Sequence, residues 1–307
     1  MLNLLKKNGF SNAQISRIVG MLPLILLSHP EKTLLPKIEL LRSIGVSSSD
    51  LITILSSYPF LFKRDLKKHL IPCYDFLKSV LLVDEKVLVT FKRAPRSFIC
   101  DVTNTMAPNI SLLRQLGAPP STISFLVTNF PSAAFSKHTK FVEAVHLVME
   151  MGFDPMKTVF VLAIQVLFKM KKPKLESRLE LYKRWGWSKD MALAAFKRFP
   201  NCMLSSEEKI TKTMDFLVNK IGWSSANIAR SPSVITLSLE NKIIPRCSVV
   251  QILLAKGLVK NNLAVGTFLR PTERIFLEKF VIRFRDDVPQ LLNVYQGKMS
   301  SGCRISV

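Results

Sequence analysis

Prolines recur every 36 residues in the first half of this sequence, at Pro23, Pro59, Pro95 and Pro131, and return after a gap at Pro200 and Pro232. A second series, Pro36, Pro72 and Pro108, keeps the same spacing, and Pro245 extends it. Glycines form a third series: Gly9, Gly45, Gly117, Gly152, Gly186, Gly222 and Gly257, with Leu81 where one is missing. Three marks in one register point to stacked supersecondary units, none of which can bury its apolar face alone.

The marks have a local meaning. The residue before a proline is pushed out of the α region, so the first series stops helices. Proline is tolerated in a first turn, where its missing N–H would have no partner, so the second series starts them. The glycines suit left-handed caps at helix ends. Serines precede the first helix of each unit: Ser11 with Gln14, Ser47 with Asp50, Ser121, Ser188 and Ser224. They can accept from free first-turn N–H groups. Thr33 and Thr105, each three residues before a proline, are the expected caps of the second helices. Leu34, Ile38, Leu41 and Ile44 form a helical stripe on one of these. Each unit thus reads as helix, break, short apolar turn, helix.

Two segments depart from the rule. The unit beginning at Phe153 has Leu167 where a stopping proline is expected, and its first helix, PMKTVFVLAIQVLFK, is apolar enough to be buried. From Pro271 to Lys298, Ile275, Phe276, Phe280 and Phe284 make one stripe. Val288, Leu291, Leu292 and Tyr295 make another. A terminal cap that seals the stacked core is the expected role.

Composition limits the function. Lys and Arg total 44 against 22 Asp and Glu, a net charge of +22. An excess of that size implies an acidic partner such as nucleic acid, or else a merely solvated basic surface. The five cysteines are far apart, so neither a disulfide framework nor a Cys-rich zinc site is expected. The longest apolar run, Val159 to Phe168, is interrupted by Gln165 and is too short to span a bilayer. The first thirty residues lack Asp and Glu, as organelle transit peptides do. Gly9, however, is in register with the repeat, so residues 1–9 read as the tail of a truncated unit, with any presequence outside this chain.

The paired prolines of HPEKTLLPKIELLRSIG, the P-x-L/I-L runs, KRWGWS at Lys183–Ser188, KRFPNCMLSSEEKI at Lys197–Ile210 and the closing RPTERIFLEKFV resemble the mitochondrial transcription termination factor (mTERF) family, in particular its plant group. The resemblance covers nearly the whole chain. It implies three-helix units, two α-helices and a short 3₁₀ segment. The expectation is therefore all-α: an α-solenoid superhelix of about eight mTERF-type helical repeats. The array is assigned to 1–265, a C-terminal helical cap to 266–298 and a disordered tail to 299–307. The resemblance also implies organellar nucleic-acid binding, in the mitochondrion or alternatively the chloroplast. Its members act in transcription termination, transcriptional regulation, or RNA processing including intron splicing. It assigns repeat positions and no base contacts.

Candidate contacts come from the basic residues beside the breaks. Lys63, Arg64, Lys67 and Lys68 follow Pro59; Lys92, Arg93 and Arg96 flank Pro95; Lys197 and Arg198 precede Pro200; Arg230 precedes Pro232. If the breaks align, these charges form a stripe that can follow a phosphate backbone. The stretch from Lys157 to Arg198 holds 11 basic and three acidic residues, and within it lies KMKKPK, with Lys169, Lys171, Lys172 and Lys174. These four lysines fall at the end of the apolar helix, where the helix dipole also favours cations. Trp185 and Trp187 follow; they can stack on unpaired bases or belong to the core.

The histidines are isolated, and no phosphate loop, dinucleotide fingerprint or nucleophile elbow occurs. The chain therefore reads as no enzyme, with no catalytic residues, cofactor or metal. It reads as a monomer that binds organellar double-stranded DNA or structured RNA, without a membrane, and regulates transcription or its termination. The alternatives are an RNA-binding factor in intron splicing or RNA processing, and a protein-interaction scaffold.

Overall fold

A computed structural model describes residues 1–170, 172–260 and 262–297, and among them there is helix and no strand. The chain forms two compact units, Met1–Phe168 and Lys169–Val307.

In the first unit the repeat is plain. The first helices are Asn12–Met21, Ser48–Ser57, Asp84–Arg93 and Pro120–Asn129. Each ends two residues before a proline, which opens the break: the 3₁₀ segments Pro23–Leu27, Pro59–Lys63 and Pro95–Ile99, and the single α turn Pro131–Ala134. Ser11 accepts from the Gln14 N–H in a full capping box, and Ser47 accepts from the Asp50 N–H. Ser121 does not cap; its helix opens at Pro120 without a side-chain cap. The N-cap residue is Pro119, which has no side-chain oxygen to accept from the first-turn N–H groups.

The second helices differ from expectation at their start. Each of the first three is preceded by a π-helical turn: Pro30–Leu34, Leu66–Leu70 and Val102–Met106. The helices that follow are Leu35–Ser43, Ile71–Leu81 and Ala107–Gln115, each with its proline in the first turn. In the turn the N–H reaches five residues back, as from Leu70 to Asp65 and from Met106 to Asp101. The wide turn accommodates a proline that cannot donate and whose ring would crowd the carbonyl four residues before it. Thr33 and Thr105 therefore lie inside the turn and donate to the His29 and Asp101 carbonyls instead of capping. The caps are Asp65 and Asp101, which accept from the Lys68 and Asn104 N–H groups.

Leu34, Ile38, Leu41 and Ile44 are all buried, as their spacing requires. Every glycine of the third series has positive φ. At Gly45 a Cβ would also come within 3.3 Å of Leu88. Where the glycine is missing, the left-handed residue is Leu82, one place beyond Leu81, with φ 68°. Helix Ile71–Leu81 runs to Leu81 itself, and this moves the cap on by one.

The helix Thr158–Lys169 buries Phe160, Val161, Ile164 and Val166, and among the described residues no 3₁₀ break separates it from helix Lys172–Arg184. The second unit resumes the repeat with Lys189–Arg198, capped by Ser188, then the break Pro200–Leu204 and the helix Glu207–Met214. Ser225–Ala229, capped by Ser224, leads to the break Pro232–Thr236 and the long helix Ile244–Ala255. In the segment expected as a cap, Phe276 stacks on Phe280 at 5.3 Å and lies 5.4 Å from Tyr295. Helix Leu291–Tyr295 packs against Ile244–Ala255. Leu291 and Val288 are buried, whereas Leu292 faces solvent. Lys298 and the tail 299–307 lie outside the described residues.

Candidate nucleic-acid interface

One pair of consecutive breaks packs together in each unit: Pro59–Lys63 against Pro95–Ile99 in the first, Pro200–Leu204 against Pro232–Thr236 in the second. The joint between repeats rests on one side-chain position. The residue directly after each second-series proline reaches the end of the next repeat's break. The Lys37 ammonium donates to the Phe62 carbonyl, and the Cys73 thiol donates to the Cys100 carbonyl at 3.3 Å. Asn109 Nδ2 donates to the Ala134 and Ser136 carbonyls at 2.9 and 3.0 Å. Arg246 Nη1 donates to the Phe268, Leu269 and Pro271 carbonyls at 2.9, 3.2 and 2.8 Å. Lys209 does the same for Thr236 at 2.7 Å, and the Tyr182 hydroxyl for Cys202 at 2.8 Å. Sequence reasoning missed these donors, although each of the four that follow a second-series proline was marked by it.

Burial lowers the pKa of Lys37, against the opposing pull of Asp65. Burial likewise lowers that of Arg246. The cap carboxylates of Asp65 and Asp101 are held below the usual range, chiefly by the backbone N–H groups they accept. The Cys73 and Cys202 thiols are pushed up to about 12 by burial, which leaves them inert as nucleophiles.

The expected contact residues fall into two groups. Lys63, Lys67, Lys169 and Lys174 are exposed, Arg64 and Lys197 are half-buried, and none of the six has an ion-pair partner among the described residues. The others have partners within the protein, four of them in a neighbouring repeat. Lys92 pairs with Asp50 at 2.6 Å. Arg93 donates to Asn129 and, at 3.4 Å, to the Thr128 carbonyl. Arg198 donates to the Arg230 carbonyl at 2.6 Å, and Arg230 to Asn227 at 3.2 Å. Arg93 and Arg198 thus sit at the carbonyl end of the next first helix, where the dipole favours a cation. Arg96 lies over the Tyr58 ring at 5.6 Å.

The KMKKPK cluster is divided. Lys169 ends helix Thr158–Lys169, but Lys172 and Lys174 occupy the first turn of helix Lys172–Arg184, not a helix end. The Lys172 side chain and all of Lys171 lie outside what is described. A first turn carries the positive pole of the helix, so lysines there oppose the dipole. Trp187 is a core residue: it is 2% exposed and stacks on Tyr182 at 4.3 Å and 8°. It offers no face to a base.

No group of three His, Cys, Asp or Glu suited to a metal occurs among the described residues. No described helix is long and apolar enough to cross a membrane.

Fold and surface define a class: an all-helical repeat protein with proline-opened 3₁₀ breaks in register and unpaired cations along them. The family described as mTERF matches residues 2–213 and 159–277, and the chain belongs to that family. It is similar to an Arabidopsis thaliana protein, "Transcription termination factor MTERF15, mitochondrial", at 22% identity over 129 residues. That match covers 42% of this chain and 28% of the relative, so the chain spans less than a third of that protein.

Proposed function

We propose that this chain binds organellar nucleic acid, double-stranded DNA in the first place, along the break edges of its units, and thereby regulates transcription or its termination. The observation that carries this reading is the packing of consecutive breaks with cations beside them that have no ion-pair partner. Cations without protein partners are free to displace counterions from phosphates, which gives affinity independent of sequence. Lys63, Arg64, Lys67, Lys169, Lys174 and Lys197 are the phosphate contacts in this reading, and Lys171 and Lys172 join them by sequence position. Lys92, Arg93, Arg96 and Arg198 hold neighbouring repeats, Arg230 bonds within its own, and all five border the break edges of their own units. The printed name of the Arabidopsis relative supports termination and the mitochondrion. The chloroplast is the alternative location, and structured RNA the alternative ligand. The protein acts as a monomer without a metal.

Fluorescence anisotropy with a labelled DNA duplex tests the reading. With about six phosphates neutralised, affinity falls roughly a thousandfold between about 50 and 200 mM salt. A flat salt dependence would instead support a protein-interaction scaffold.

A further inference from the structure

The break edge of the first unit also carries aromatic rings that phosphate binding does not use. Tyr58 closes helix Ser48–Ser57, and Phe60 is the second residue of the break that follows. Their ring centroids are 5.6 Å apart at 57°. Arg96, which holds the same place as Phe60 in the next break, sets its guanidinium 5.6 Å from the Tyr58 centroid. Phe60 is 39% exposed, while Leu61 and Phe62 of the same segment are 2% and 5% exposed. Those two meet the packing needs of the turn, so the Phe60 ring is left partly in water. Lys63, without an ion-pair partner among the described residues, ends the same segment. An isolated exposed phenylalanine would need no explanation. Here the ring is one of a connected set, phenylalanine, tyrosine and guanidinium, on a basic edge.

We propose that Phe60, backed by Tyr58 and Arg96, is a stacking platform for an unpaired base of single-stranded nucleic acid, an inference that rests on the phosphate-binding edge of the proposed function. A base within a duplex has both faces covered by its neighbours, so only an unpaired base can use the ring. Stacking needs no particular base, because each has a π face. Arg96 adds a cation beside the stack, where the phosphate on either side of the base has to pass. The edge then holds duplex and single strand alike through phosphates, and the ring adds affinity for the strand alone.

The test uses the full chain, a labelled oligothymidylate, an oligouridylate and a mixed-sequence duplex of equal length, at one salt concentration. Phe60→Leu keeps an apolar side chain and removes the ring. The expected result is a loss of about 5- to 100-fold in affinity for the single strands, with duplex affinity unchanged. Phe60→Tyr restores strand affinity. Equal losses for the two oligonucleotides assign the contact to the base, whereas a loss confined to the oligouridylate assigns the strand as RNA. The inference is overturned if Phe60→Leu binds the strands as the wild type does, or if it weakens strand and duplex equally. A wild type that binds no nucleic acid overturns the proposed function as well. A wild type that binds all three, with a silent Phe60→Leu, overturns the platform only.

Discussion

The ammonium of Lys37 donates to the carbonyl of Phe62, so a cation on the second helix of one repeat holds the end of the next repeat's break. Both residues are buried, at 8% and 5% exposure. The bond secures the segment that carries Phe60 and Lys63.

Replacing this donor leaves a buried carbonyl unserved. Lys37→Met is expected to cost about 1–3 kcal/mol in urea unfolding. The pH dependence has a definite sign. Burial lowers the folded-state pKa of Lys37 below its ordinary 10.5. Between those two values the unfolded chain holds a proton that the folded chain has released, so stability rises with pH there. The gap between wild type and Lys37→Met therefore widens as pH rises through that window. A gap constant from pH 8 to pH 10.5 would show the pKa to be unshifted.

Asp101 caps its turn by accepting from Asn104 at 3.0 Å and is held below the usual carboxylate range by that bond. Its contribution is present above the unfolded carboxylate pKa and lost as pH falls through the lower folded value. Asp101→Ala lowers the urea midpoint at neutral pH, and the difference from wild type shrinks in acid. Paired unfolding curves at the two pH values check this.

Lys172 and Lys174 separate a structural role from a binding one, because they lie in a first turn. Changing Lys169, Lys171, Lys172 and Lys174 together to Gln lowers the salt slope of binding by up to about four phosphate-equivalents. Removal of the two first-turn charges raises stability or leaves it unchanged, by about 0.3–1 kcal/mol per charge at most. A destabilised variant with wild-type binding would make the cluster structural.

Leu82 holds a left-handed conformation at φ 68° with its side chain 72% exposed. A leucine there bears a steric cost that glycine does not, and it buries little in return. Leu82→Gly is expected to stabilise the chain by about 1 kcal/mol, read as a raised Tm.

Arg246 is 1% exposed, serves three carbonyls and lies 4.6 Å from the Phe276 ring. Arg246→Met should cost at least about 2 kcal/mol, since it strands those acceptors. If residues 266–298 act as the proposed cap, their amides should then exchange faster than those of the first unit. Uniform acceleration along the chain would argue against a separate cap.

What the sequence alone determined is the part of the fold written in backbone chemistry. A proline beyond the first turn stops a helix, and a left-handed cap favours glycine, so the breaks at Pro23 and Pro59 and the cap at Gly45 were legible from the chain alone. The apolar stripe of Leu34, Ile38, Leu41 and Ile44 was legible for the same reason, because helical period is local. The basic residues could be counted and placed beside the breaks. Tertiary structure decided which of them are spoken for: Arg93 and Arg198 reach carbonyls 35 and 32 residues away, while Lys63 reaches none among the described residues. It also turned Thr33 and Thr105 from caps into donors inside a π-helical turn, moved Lys174 to a helix start, and buried Trp187 under Tyr182. The donors at Lys37, Asn109 and Arg246 could not be read from the chain, since their acceptors lie 22 to 25 residues away in the next repeat and only the stacking of repeats brings them within bonding distance.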